Sequence, residues 1–298
     1  MEVNIREIYA ICKSVADRWW NGIVSYFHFN RIFLLFALVV ILCSFSYELF
    51  NQTLSIDDEL WIWAAVPNHD WIRQGRWGMF LVNCIFVNPC IPFFSLFMTL
   101  LFHAVAFLVI VGGLAEQTRC RFLLFPLFAT ASIFYFAYTF NSLLPGLGIA
   151  IFCAAVAVRL AYVSSPRWYL LLPAMVLGAF SIGCYQALLN LLLFLCIFFL
   201  IRDLIILPKN WSAILRQCLH FLLFGIGVLG IYYAGNKVAM ILSGNTDQLY
   251  LAQYSVQFPV FQNPGSFFRF VWRSYYGANK IYGVDLFLQG GLFIGCVV

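Results

Sequence analysis

The chain has 298 residues, of which 63% are apolar or aromatic and only 10% charged; its mean hydropathy is +0.90 and its formal net charge +5. A soluble domain carries roughly 25% charged residues, and 17 basic with 12 acidic side chains are too few to solvate a soluble fold of this size. These figures exclude a soluble enzyme, a disordered chain and a nucleic-acid-binding module. Lipid is the solvent for most of the chain, so the fold class is an all-α polytopic transmembrane bundle. The positive charge concerns membrane orientation, not nucleic acid.

Residues 1–30 form the first unit. Ile5, Ile8, Cys12, Val15, Trp19, Ile23 and Tyr26 recur at spacings of three and four. That period predicts an amphipathic juxtamembrane helix on the cytoplasmic face, with Trp19 and Trp20 at headgroup level. Residues 31–298 form the second unit, a transmembrane domain. Ile32 to Tyr47 is charge-free and is the first span. Met79 to Ala115 runs 37 residues without a charge, about 55 Å as one helix against a hydrocarbon core of about 30 Å. Asn88-Pro89 and Pro92 break it into a short interfacial helix, Met79 to Asn88, and a second span, Ile91 to Leu114.

Phe122 to Val158 is another 37-residue run. Asn141 to Gly146 at its middle is turn chemistry, so it predicts a hairpin of spans three and four. Trp168 to Ile201 is 34 residues long with Gly183-Cys184-Tyr185-Gln186 at its centre. It divides into spans five and six around a tight turn. Gln217 to Asn236 is span seven, and Gly225, Gly227 and Gly230 within it suggest close helix packing. Leu286 to Val298 reads as the start of an eighth span, as in a fragment of a longer protein. The expected architecture is thus about seven spans and a truncated eighth.

Arg6, Lys13, Arg18, Arg31, Arg119, Arg121, Arg159, Arg167, Arg202, Lys209 and Arg216 all fall in segments that this topology puts on one side. By the positive-inside rule that side is cytoplasmic, with the N-terminus inside. Two long segments then lie outside, Glu48 to Gly78 and Lys237 to Asp285. They carry seven of the 12 acidic residues: Glu48, Asp57, Asp58, Glu59, Asp70, Asp247 and Asp285. Long loops in compact proteins tend to carry function. The ten cysteines show no CxxC spacing; Cys84 and Cys90 alone are close enough in sequence to raise a bridge. The four histidines show no metal-ligand spacing, and His103 reads as a hydrogen-bonding group between helices.

Chemistry concentrates in the first outer segment. Three consecutive carboxylates, Asp57, Asp58 and Glu59, repel one another, which raises at least one pKa. A carboxylate there suits a general base; the same residues could instead open a helix capped by Ser55. Trp71, Arg73, Arg76 and Trp77 follow within twenty residues. Arginine forks pair with phosphate oxygens and aromatic rings stack on sugars; alternatively both residue types anchor the chain at the interface. Arg269, Arg273 and Lys280 add a basic, aromatic stretch in the second outer segment. Tyr185 and Gln186 either line a cavity or close a turn.

On Asp57-Asp58 after the first span, Gly75-Arg76-Trp77 before the second, and Ser181 with Tyr185-Gln186 at a later outer turn, the chain resembles the serotype-converting glucosyltransferases of bacterial O-antigen. These belong to the GT-C class of membrane transferases that use polyprenyl-phosphate sugars. The resemblance implies a multi-pass protein of the bacterial inner membrane with its active site facing the periplasm. It implies an undecaprenyl-phosphate-linked donor, with glucose as its sugar, and a lipid-linked glycan acceptor, with inversion at the anomeric carbon. Asp57 or Asp58 is then the catalytic base. Glu59, Trp71, Arg73, Arg76, Trp77, Tyr185, Gln186, Arg269, Arg273 and Lys280 are the substrate-binding set, and no organic cofactor is called for. The competing readings are a transporter or flippase, or a polymerase, for lipid-linked saccharides. Transporters place ionisable groups at mid-membrane, whereas here they cluster in outer loops.

Overall fold

The computed structural model describes residues 17, 20–22, 24–51, 70–86, 93–112, 120–130, 138, 140–163, 168–206, 211–244 and 265. The described residues contain helices and turns but no strand. In chain order the helices are α1 (Arg31–Ser44), α2 (Ser46–Phe50), α3 (Asp70–Arg73), α4 (Trp77–Ile85), α5 (Phe94–Val111), α6 (Cys120–Ala129), α7 (Gly146–Val163), α8 (Leu171–Cys184), α9 (Leu188–Ile206) and α10 (Trp211–Ser243). A further helical segment, Trp20–Phe29, meets α1 at a bend of 66°.

Among the described residues four helices are long and apolar enough to cross a membrane: α5, α7, most of α9, and α10. Counting the bent pair Trp20–Phe29 and Arg31–Ser44 as one span makes five. The described residues therefore do not confirm the sequence-based count of about seven spans. Helices α1 and α8 have 14 residues each, short for a span, and the expected third span lies partly outside the described residues. The breaks fall where turn chemistry put them. A 3-10 turn at Asn141–Leu143 precedes α7, and α8 ends at Cys184 with α9 opening at Leu188. The short helix before the second span runs Trp77–Ile85 instead of Met79 to Asn88, and α5 is a few residues shorter at each end than Ile91 to Leu114. The expected eighth span lies outside the described residues.

Helix α10 departs most from expectation. It continues seven residues past Asn236 to Ser243, so Lys237 is helical and the second outer segment begins later than expected. Lys237 Nζ sits 5.6 Å from the centre of the Tyr233 ring, one turn earlier. That cation–π contact lets a basic residue stay on the helix. Gly227 faces Met175, but Gly225 and Gly230 have nothing within 4 Å of a hypothetical Cβ. Only one of the three glycines read as packing residues packs.

Helix α7 is the centre of the bundle. Its small residues Gly146, Gly148, Ala150, Ala154, Ala157 and Ala161 are buried on more than one side of the helix, and such small side chains let helix backbones approach closely. A Cβ at Gly148 would lie 2.5 Å from Thr99 Cα of α5. A second cluster is aromatic: Phe33 of α1 stacks on Phe107 of α5 at 5.8 Å and meets Phe125 of α6 edge-on at 5.4 Å. Outward-facing Leu193, Ile197, Leu222 and Ile226 on α9 and α10 are more than 50% exposed, as expected where lipid is the solvent. His103 of α5 is hydrogen-bonded by the Tyr138 hydroxyl, which bears out its reading as an inter-helix group.

Helix α4 crosses the C-terminal end of α8 backbone to backbone. A Cβ at Gly78 would lie 2.8 Å from Cys184 N, Gly183 C and Phe180 O. None of these can rotate away, so Gly78→Ala forces the helices apart, at about 1–3 kcal/mol. Gly225→Ala meets no neighbour and gains helix propensity, about 1 kcal/mol. Thermal unfolding in detergent should therefore show a lower Tm for Gly78→Ala and an unchanged or higher one for Gly225→Ala.

Candidate active site

The site is built on a turn. Helix α3 ends in a Schellman motif: Gly75 N–H donates to Ile72 O at 2.9 Å and Arg76 N–H to Trp71 O at 2.7 Å. Gly75 has φ +74, the left-handed conformation that this cap requires and that glycine adopts without cost. The motif reverses the chain within two residues, and α4 starts at Trp77.

Two distant side chains hold this turn by its carbonyls. Gln186 Nε2 donates to Gln74 O at 2.8 Å, and the Tyr232 hydroxyl donates to Gly75 O at 3.0 Å. Gln186 comes from the α8–α9 turn and Tyr232 from α10. The same Gln186 accepts a hydrogen bond from Arg76 Nε through its Oε1 at 3.3 Å. The Arg76 guanidinium lies 5.5 Å from the Trp71 ring centre and 5.3 Å from that of Tyr185. A planar cation is thus fixed by two aromatic rings and one amide. Tyr185 can take part because it is extended, φ −152 and ψ 111, and so ends α8; its ring and Gln186 then turn toward Arg76.

The structure therefore joins Arg76, Trp71, Tyr185 and Gln186 across 110 residues. Arg73 is placed differently. Its Nη1 is 3.4 Å from Asp70 Oδ1, a partly exposed pair at i, i+3. Trp77 wedges between helices: Cβ atoms at Gly183 and Gly235 would lie 2.7 Å and 3.0 Å from its indole, and Phe180 meets it edge-on at 6.1 Å. Its ring therefore fixes α4 against α8 and α10. Ser181 is fully buried on α8. Asp57, Asp58, Glu59, Arg269, Arg273 and Lys280 lie outside the described residues, as does Cys90.

The sequence profile described as Glucosyl transferase GtrII matches residues 46–298. The chain belongs to this glucosyltransferase family. No curated protein and no solved structure matches the chain. The glucosyltransferase match includes α3, α4, α8, α9 and α10, all the elements that build the Arg76 site. A glucosyltransferase brings together a sugar donor and a glycan acceptor, and the apolar helices make this one a membrane protein.

Tyr232 is the residue of this glucosyltransferase that sequence reasoning missed. Its bond to Gly75 spans 157 positions, so no local pattern points to it. The available signal was the Tyr232-Tyr233 pair, two hydroxyls inside the otherwise apolar seventh run.

Proposed function

We propose that this glucosyltransferase moves glucose from undecaprenyl-phosphate to a hydroxyl of an O-antigen repeat, or another surface glycan, on the periplasmic side of the bacterial inner membrane. The observation that supports this most is Arg76, a guanidinium fixed over two aromatic rings at the end of the bundle where α8 and α9 meet. A phosphate diester needs a positioned cation, and Arg76, held over the rings of the buried Trp71 and the half-buried Tyr185, offers one. The opposite end of the bundle carries Arg31, Arg121, Arg159, Arg202 and Arg216, an excess of basic residues that suits the cytoplasm.

Asp57 or Asp58 takes the proton from the acceptor hydroxyl. The oxygen attacks the anomeric carbon from the face opposite the phosphate, so configuration inverts. The bond from that carbon to the phosphate oxygen breaks, and undecaprenyl phosphate leaves with the electron pair. Arg76 stabilises the charge that develops on it, with Arg73, Arg269, Arg273 and Lys280 as further cations in the outer segments. Glu59 and Trp77 complete the proposed donor and acceptor surroundings.

The test is transfer in proteoliposomes holding the full chain, radiolabelled undecaprenyl-phosphate glucose and an O-antigen acceptor. The expected product is glucosylated glycan of inverted anomeric configuration, formed without nucleotide sugar. Passage of the labelled lipid across the bilayer with no new glycosidic bond would make the protein a flippase instead. A cysteine at position 58 should label from the periplasm in intact cells; labelling only after membrane rupture would reverse the topology.

A further inference from the structure

Three arginines from separate segments gather at the end of the bundle opposite Arg76: Arg121 at the start of α6, Arg159 in the last turns of α7 and Arg202 in the last turns of α9. Tyr26 and Tyr162 link them. The Tyr26 hydroxyl donates to Leu108 O at 3.0 Å, and this phenol lies within electrostatic range of both Arg121 and Arg159. Arg159 is in turn within range of Arg202. The Tyr162 ring is shared, with the Arg159 guanidinium 5.6 Å and that of Arg202 5.7 Å from its centre.

The cluster is short of negative charge. Among the described residues its one carboxylate is Asp203, whose Oδ1 accepts from the Tyr162 hydroxyl at 2.9 Å. Arg202 Nη1 donates to Tyr162 Oη at 3.1 Å, and Arg121 Nη1 donates to Asn30 Oδ1 at 2.6 Å; both acceptors are neutral. Arg121 Nε, Arg159 Nη1 and Arg202 Nε are buried atoms with no hydrogen-bond partner among the described residues. Buried charged donors without acceptors are costly, and like charges held in range of one another add to that cost. Arginines that merely snorkel would point these nitrogens separately into the headgroups. Here these three nitrogens are buried instead.

One chemical group meets these needs, a phosphate, with several acceptor oxygens and at least one negative charge. The depth fits as well. Trp168 and Trp211 mark the same end of the bundle and are 82% and 69% exposed, as interfacial tryptophans are. We propose that Arg121, Arg159 and Arg202 form a phosphate-binding site on the face opposite Arg76, which takes the headgroup phosphate of an anionic phospholipid or a free phosphate ion. The site stands independently of the transfer reaction.

The test uses the purified full chain in neutral detergent. Native mass spectrometry compares retention of phosphatidylglycerol and phosphatidylcholine, and thermal unfolding compares inorganic phosphate with chloride at equal ionic strength. Wild type should retain phosphatidylglycerol about tenfold better than phosphatidylcholine, whose choline places a positive charge beside the same phosphate. Arg159→Gln should lose that preference. Arg216→Gln, which removes an exposed arginine at the same end of α10, should keep it. Stabilisation by inorganic phosphate that needs Arg159, with no lipid preference, would support the site and identify a soluble source. If Arg159→Gln does not fold, Arg159→Lys retains the charge without the fork, and its preference should fall. No lipid preference and no phosphate stabilisation in wild type, or equal losses in Arg159→Gln and Arg216→Gln, would overturn the proposal.

Discussion

Arg76→Ala will slow glucosyl transfer by about 10²- to 10³-fold, the usual cost of removing one group that stabilises transition-state charge. The loss should fall mainly on kcat, because charge builds on the phosphate only as the glycosidic bond to it breaks. Arg76→Lys should recover part of the rate. It keeps the charge but loses the planar fork that reaches Gln186 and lies against Trp71 and Tyr185, and an ammonium does not replace that geometry. Initial rates with labelled lipid-linked glucose measure both variants. Wild-type rates for Arg76→Ala would remove Arg76 from the mechanism.

Asp57→Asn or Asp58→Asn will abolish transfer while insertion into the membrane stays normal. An amide cannot accept the acceptor's proton, and losing a general base costs about 10²- to 10⁴-fold. One single variant should be as inactive as the double variant; that one identifies the base, and the other aspartate then has a supporting role. If both singles and the double modify lipopolysaccharide like wild type, the base lies elsewhere. Band intensity in membrane fractions separates loss of chemistry from loss of protein.

Breaks in the fold were legible in the sequence because they depend on local chemistry. Asn141 to Gly146 and Gly183 to Gln186 combine turn formers inside apolar runs, and the helices end at both. Span number was not legible in the same way. A charge-free run states that a segment tolerates lipid, but its helical length also depends on where caps and prolines fall, and α1 and α8 came out short. The end of α10 was missed because Lys237 looked like a boundary, although lysine is a good helix former and here lies beside the Tyr233 ring. In the site, Arg76, Tyr185 and Gln186 stood out as polar or aromatic groups at apparent outer turns. That they touch, and that Tyr232 secures the turn carrying Arg76, is tertiary information. Trp77 drew notice for the reason any tryptophan near a surface does, and only the glycines facing it explain its place.

The length of α10 acts as a ruler for the whole molecule. From Trp211 to Tyr232 is about 32 Å at 1.5 Å per residue, close to the thickness of a hydrocarbon core. With Trp211 anchored at one boundary, the Tyr232–Gly75 bond sits at the other, and Arg76 sits with it. The phosphates of ordinary phospholipids lie just outside that level, in the headgroup region. A polyisoprenoid donor could therefore present its head to Arg76 while its tail stays dissolved among the acyl chains. On the proposed topology, the last turns of α10, through Ser243, extend beyond the hydrocarbon core on the acceptor's side.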